Sequence, residues 1–217
     1  MTALTQKRLV VIPMKDPSRA KTRLGAALDA NGRAGIALAL FRATLNHLSE
    51  ALMLLPHGSA DIAVLTSSPE ISRIARRAGV VLIDDEGLDG LSQSLEVAAA
   101  WGARQGYDAI CILPGDLAAP KACDLARLLS HDLAQWRAVF CPSADLGTNA
   151  LLAPLPCPFR FQYGPNSVVH HRRAAERAGL WPVILPLESL RIDVDTVEDL
   201  GHLLARNPQI LAQEATL

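Results

Sequence analysis

Residues 9–25 read LVVIPMKDPSRAKTRLG, and the stretch changes character halfway. Leu9 to Met14 is short, apolar and rich in β-branched residues, as a strand covered on both faces should be. The loop behind it then places four cations, Lys15, Arg19, Lys21 and Arg23, within nine residues. Similar short runs recur at Ile62 to Thr66, Val80 to Asp84 and Ala109 to Leu113. Longer segments of helical periodicity separate them. Arg33 to Leu52 repeats apolar residues at Ile36, Leu40, Leu45 and Leu48, and Ser68-Pro69-Glu70 opens a helix that Gly79 closes. Strand alternating with helix predicts a parallel sheet joined by right-handed crossovers.

After Pro120 the pattern loosens. Ala138 to Cys141 and Ala150 to Ala153 read as two more strands around the loop Pro142 to Asn149. A helix from about Ser167 to Ala178 stops at Gly179, a strand runs into Arg191 to Asp195, and a last helix spans Val197 to about Arg206. The expectation is one three-layer α/β/α domain over residues 1–217, Rossmann-like with a mostly parallel sheet, whose second half lays loops over the sheet edge. In such sheets ligands bind outside the carboxyl ends of the strands.

The composition narrows the function. The chain has 217 residues, half of them apolar, and a formal net charge of −1, so it can bury a large core and has no global pull toward nucleic acid or an anionic membrane. Its four cysteines lack C-x-x-C spacing and no signal-peptide pattern precedes the first strand, so reduced thiols in a cytoplasmic protein are expected. The apolar runs are too short to span a bilayer.

Five loops at the predicted strand ends converge on one kind of ligand. Lys15 to Arg23 suits a polyphosphate, with arginine adding planar pairing to phosphate oxygens, although neither P-loop nor G-x-G-x-x-G spacing is present. Asp116 in LPGDLAAP follows a buried strand, where one acid alone equally suits a helix cap. In RIDVDTVEDLG, Asp193 and Asp195 form an i, i+2 pair that a strand would point to one side, and two like charges there call for a cation between them. Thr196 and Asp199 have the spacing of a helix-opening box and are read as structural. Three carboxylates at two strand ends make a hard-oxygen set suited to Mg²⁺, which takes one or two carboxylates plus the phosphates of its substrate.

Two further loops are rich in small and polar groups. DLGTNALL offers Gly147 for close backbone approach and Thr148 with Asn149 for hydrogen bonding. FQYGPNSVVHH sets Gly164 before a helix, so that a phosphate could rest on the helix N-terminus, with Ser167 an equally plain N-cap and His170 and His171 read as surface residues. EGLDGLSQSLEVA, Glu86 to Ala98, has the small residues for a flat nucleobase slot.

Taken in order, VIPMKDPSRAKTRL, GLSQSLEVA, LPGDL, GTNALL, FQYGPNSVVHH and RIDVDTVEDL resemble the guanylyltransferases of the deazaflavin coenzyme F-420 pathway, the family typified by 2-phospho-L-lactate guanylyltransferase. The likeness extends over nearly the whole chain. It implies a nucleotide-diphospho-sugar transferase (GT-A-like) fold and transfer of GMP from GTP to 2-phospho-L-lactate, phosphoenolpyruvate or 3-phospho-D-glycerate, with release of pyrophosphate. It further implies that Asp116, Asp193 and Asp195 hold one or two Mg²⁺ ions and that Thr148, Gly164 and Ser167 bind the phosphorylated acid. Lys15, Lys21 and Arg23 would act on the triphosphate, with Leu91 and Ser92 at the nucleotide. A homodimer is in keeping with the family. The chain departs from the family at Gly90-Leu91-Ser92, where Gly-Leu-Asn is frequent, and at Leu117-Ala118, where Leu-Pro is usual. Two rivals share the fold: a metal-dependent glycosyltransferase, which also uses a D-x-D pair, and an inactive nucleotide-binding module.

Overall fold

The computed structural model describes residues 6–134 and 136–206. Four strands, β1 (Arg8–Pro13), β2 (Ala60–Leu65), β3 (Val81–Ile83) and β4 (Ala109–Ile112), alternate with α1 (Ala30–Met53), α2 (Pro69–Arg77) and α3 (Leu91–Arg104). All three pairings among them are parallel, β1 lying between β2 and β4. Leu9, Val10, Val11 and Ile12 are each wholly buried, which is why this strand reads as a continuous apolar run and not as an alternation.

Alternate residues of that strand enter different layers. Val10 and Ile12 pack with Phe41 and Leu45 of α1, Ile71 of α2 and Leu125 of α4 (Ala122–Leu129). Leu9 and Val11 face Leu95 and Ala98 of α3 and Val168 and Ala174 of α5 (Ser167–Arg177). Helices therefore cover both faces, and fully burying one Leu, Ile or Phe in such a layer stabilises by roughly 1.5–3 kcal/mol. The expected three-layer α/β/α architecture is the one observed.

The second half keeps its expected strands and helices, but it extends the sheet where loops over the edge were expected. Its segments enter the sheet as β5 (Arg137–Pro142), β6 (Thr148–Pro154) and β7 (Trp181–Ile184), extending it to seven strands in the order β3-β2-β1-β4-β6-β5-β7. Strand β6 runs antiparallel to both neighbours, and β5 pairs with β7 in parallel. The two strands expected at Ala138–Cys141 and Ala150–Ala153 are present as β5 and β6, where they bury Phe140, Cys141, Leu151 and Leu152 completely. The eight residues of α4 went unread because so short an amphipathic run between Pro120 and His131 carries little periodicity.

The strand expected to run into Asp195 ends at Ile184. A 3-10 turn, Glu188–Leu190, follows it, and the acidic segment comes after that turn. Asp193 is instead held by an isolated antiparallel bridge to Leu117, in which the Ala118 N–H donates to Ile192 O and the Val194 N–H to Asp116 O. This bridge joins the residues behind β4 to the acids near the C-terminal helix α6 (Val197–Arg206). No helix among the described residues is long and apolar enough to cross a membrane.

Candidate active site

Because β1 lies between β2 and β4, the chain reverses its direction of travel across the sheet at the β1/β4 boundary, and a crevice opens at the carboxyl ends there. The cationic loop leaves β1 on one side and Asp116 follows β4 on the other. Both are anchored from below. Leu24 of the loop and Val194, the residue between the two acids, are wholly buried in one apolar cluster with Ile36 and Leu40 of α1 and Leu200 and Leu203 of α6. With Val194 pointing into this cluster, Asp193 and Asp195 are turned to the other side, as an i, i+2 pair should be.

Lys21 sits at the centre of these acids. Its backbone is left-handed (φ 54°), and its Nζ donates to Asp116 Oδ2 at 2.5 Å and to Asp195 Oδ1 at 3.0 Å. Burial alone would push the Lys21 ammonium down, but Asp116 and then Asp195 more than offset it, and the group stays charged. Arg23 is exposed and approaches Asp195 Oδ2 at 3.9 Å. Lys15 reaches across the crevice to donate to the Asp89 carbonyl at 3.0 Å, tying the β1 loop to the loop that leads into α3. A cavity of about 220 Å³ lies between Lys15, Lys21, Asp116 and Asp195. A second, of about 390 Å³, lies on the far side of the acids and is lined by Arg23, Asp145, Arg191 and Asp193. A larger cleft of about 520 Å³ between Leu52 and Asp61 contains none of the predicted site residues.

Among the described residues Asp193 is the acid of the three without an ion pair. Burial raises its carboxyl above the usual range, and the neighbouring Asp116 and Asp195 raise it further, while the Asn149 amide, 3.4 Å away, opposes them weakly. The donor chemistry of the three acids fits a divalent cation completed by substrate oxygens. Among the described residues no group of three acids, histidines or cysteines forms a ready-made cage. Lys21 is the cation that joins Asp116 to Asp195, while Asp193 has no ion-pair partner among the described residues.

On the other side of β6 lies a different polar cluster. Thr148 and Asn149 start that strand and point to opposite faces, so Asn149 reaches Leu190 O and Asp193 while Thr148 faces α5. Ser167 Oγ is 3.1 Å from Thr148 Oγ1, and His171 Nδ1 is 3.0 Å from the same oxygen. Ser167 is the first residue of α5 and not its cap, the cap being Asn166 in a left-handed conformation (φ 56°). The N–H groups expected to cradle a phosphate already have protein acceptors: Ser167 donates to Gly164 O, Val168 to Leu146 O, and Val169 and His170 to Asn166 O. The side-chain groups gathered here are hydroxyls, and both Thr148 and Ser167 are buried. Gly164 has φ 131°, which side-chain-bearing residues rarely adopt, and at that turn the chain reverses to bring Ser167 to Thr148.

Residues 8–214 match the profile of the family described as guanylyl transferase CofC like. The chain belongs to that family. It is 34% identical over 205 residues to the 3-phospho-D-glycerate guanylyltransferase of Colwellia psychrerythraea, a match covering 94% of each chain. It is 35% identical over 196 residues to the phosphoenolpyruvate guanylyltransferase of Rubrobacter xylanophilus, covering 90% of this chain and 92% of the relative. In fold it is similar to a crystal structure from Desulfovibrio desulfuricans G20 described as a nucleotide-diphospho-sugar transferase, with TM-score 0.71, 20% identity and 95% and 97% of the two chains covered.

Set in this guanylyl transferase family, the predicted residues fall into three groups. Lys21, Asp116, Asp193, Asp195 and the more exposed Arg23 gather at one end of the β1/β4 crevice, Lys15 borders it, and Thr148, Ser167 and the Gly164 turn gather behind β6. Leu91 is part-exposed at the start of α3, and the Ser92 hydroxyl accepts the Tyr163 N–H at 3.0 Å, so Ser92 links α3 to the loop before Gly164. Two residues were underread. Asn149, which the sequence marks only as a hydrogen-bonding group, is the neighbour of Asp193. His171, expected at the surface, is wholly buried. The signal was present in its spacing from Ser167, since i and i+4 share a helix face.

Proposed function

We propose that this guanylyl transferase family member moves GMP from GTP to a small phosphorylated acid of the phosphoglycerate, phosphoenolpyruvate or phospholactate type, releasing pyrophosphate, in the cytoplasmic synthesis of coenzyme F-420. The observation that carries the reading is Lys21 held between Asp116 and Asp195 at the β1/β4 crevice, with Asp193, which has no ion pair among the described residues, beside them. A cationic loop facing an acidic set is what a metal-bound triphosphate requires. Relatives with near-complete coverage support the acceptor class through their phosphoglycerate and phosphoenolpyruvate names.

In this reading a phosphate oxygen of the acceptor attacks the α-phosphorus of GTP. A new P–O bond forms as the bond from the α-phosphorus to the bridging oxygen breaks, and the electron pair leaves with pyrophosphate. The acceptor phosphate is ionised near neutral pH, so no side chain is needed as a general base. Asp116, Asp193 and Asp195 would hold one or two Mg²⁺ ions, which supply charge neutralisation on the phosphates. Lys15 and Arg23 bind the triphosphate from the β1 loop, and Lys21 keeps Asp116 and Asp195 oriented before it does so. Thr148 and Ser167 orient the acceptor. Catalysis then rests on positioning and on preorganised charge.

Pyrophosphate release with GTP and Mg²⁺ against 3-phospho-D-glycerate, phosphoenolpyruvate and 2-phospho-L-lactate tests this directly. Turnover with at least one acceptor is expected. Release of UDP from a UDP-sugar, with no pyrophosphate from GTP, would replace the reading with a glycosyltransferase.

A further inference from the structure

The mechanism above makes no use of the buried histidine behind Thr148. His171 is enclosed by aromatic rings, edge-on to Tyr163 with centroids 4.8 Å apart and stacked on Phe140 at 6.0 Å. Both ring nitrogens have partners. The Gln162 backbone N–H donates to Nε2 at 2.8 Å, and Nδ1 lies 3.0 Å from Thr148 Oγ1. A backbone amide can only donate, so Nε2 must be the unprotonated nitrogen, and a neutral ring then carries its proton on Nδ1. Burial, with His170 adding to it, holds the ring neutral by drawing it down to about 4. Nδ1–H is therefore a fixed donor to Thr148.

That assignment determines what the hydroxyl pair can offer. Thr148 and Ser167 carry two hydroxyl protons, and their 3.1 Å contact uses one of them. The other has no protein acceptor among the described residues. If Nδ1 were instead the acceptor it would take the second proton, and the pair would present only lone pairs.

We infer that His171 is a positioning residue that fixes the Thr148–Ser167 pair as a hydrogen-bond donor, so that the site takes an anionic oxygen of the acceptor, carboxylate or phosphate, in preference to a hydroxyl or amine. The inference rests on reading Thr148 and Ser167 as part of the acceptor site. It adds a residue that acts on the acceptor through its neighbours and sets the polarity of their recognition.

Two variants separate the ring nitrogens. His171→Asn places an N–H near the Nδ1 position and can still donate to Thr148, whereas His171→Gln, with its oxygen at the Nε2 position accepting the Gln162 N–H, turns its amide nitrogen away from Thr148. With the full chain, GTP and the best of the three acceptors, His171→Gln should raise the acceptor KM about 10-fold and leave the GTP KM within about 2-fold. His171→Asn should return the acceptor KM to within about 3-fold of wild type. Equal effects of the two variants, or a parallel rise in both KM values, would reduce His171 to a packing residue and overturn the inference. Thr148→Val separates this from failure of the site reading. An unchanged acceptor KM there removes the acceptor site itself, while a raised one with His171→Gln unaffected removes only the role of His171. Nitrogen-15 histidine spectra of the wild-type protein at pH 7 need no variant: a protonated Nδ1 is expected, and a protonated Nε2 at His171 sinks the inference.

Discussion

Lys21 Nζ lies 2.5 Å from Asp116 Oδ2 with its own side chain only 5% exposed, so the loop behind β1 and the turn behind β4 are joined by an ion pair nearly closed to water on the lysine side. Lys21→Met removes that charge and leaves Asp116 facing Asp195. The acids are 31% and 42% exposed and can rehydrate, so the expected cost is about 1–2 kcal/mol, below the 3–5 kcal/mol of a fully buried broken pair. Urea unfolding measures it. Adding Asp195→Asn should recover part of the lost stability, and GMP transfer should fall at least 100-fold in either variant.

Asp193 makes the opposite prediction for stability. Its raised carboxyl means that the folded protein binds the proton more readily than the unfolded chain, so ionisation at neutral pH weakens the fold. Asp193→Asn keeps the shape and removes the charge. The variant should gain on the order of 1 kcal/mol, or about 2–4 °C in Tm for a chain of this size, while losing GMP transfer by at least 100-fold. Mg²⁺ with GTP should raise the Tm of the wild type by several degrees and that of the variant much less. A variant that keeps both turnover and the Mg²⁺ response would remove Asp193 from the metal set.

These acids also mark how far the sequence could be read. The first half was legible because β1, β2 and β4 are largely buried on both faces, so their apolar runs and the helices between them leave clear patterns. The joining of Asp116 to Asp193 was not, because it rests on a two-residue backbone bridge between loops 76 positions apart, which no periodicity records. The i, i+2 pairing of Asp193 and Asp195 was read correctly in direction although the assumed strand is absent; burial of Val194 enforces the same alternation. The burial of His171 runs against its reading as a surface residue because its surroundings come from β5, β6 and the Phe161–Tyr163 loop, none of which its own helix pattern records.

Acid sensitivity of the fold should trace to His171. A ring drawn down to about 4, against an ordinary value of 6.5, is neutral in the folded protein while the unfolded chain already takes a proton. Stability from this group is therefore complete above about pH 6.5 and is lost as the pH falls toward 4, by roughly 3 kcal/mol at 1.36 kcal/mol per unit. Asp16, Asp61 and Asp145 have lowered carboxyls and lose their contributions below the ordinary 3.8, a separate window. Unfolding free energies at pH 7, 5.5 and 4.5 should show the loss in wild type and a much flatter profile in His171→Asn; parallel profiles would dissociate the buried ring from the acid response.

The acidic stretch near the C-terminus contains a structural device as well as a chemical one, and the two can be separated. Thr196 Oγ1 accepts the Asp199 N–H at 3.2 Å, and Asp199 Oδ2 accepts the Thr196 N–H at 2.8 Å, a reciprocal box at the start of α6. The same Asp199 oxygen accepts the Asp195 N–H at 3.2 Å, so the box also fixes the backbone of one proposed metal ligand. Thr196→Ala should cost about 1 kcal/mol and change kcat/KM by less than about 3-fold, because Asp199 still holds Asp195. Asp199→Ala removes both supports. It should cost a similar amount in urea unfolding yet reduce kcat/KM by about 10-fold, with the defect growing at low Mg²⁺. Equal kinetic effects of the two substitutions would mean that Asp199 serves α6 alone and that Asp195 is held in place by Lys21.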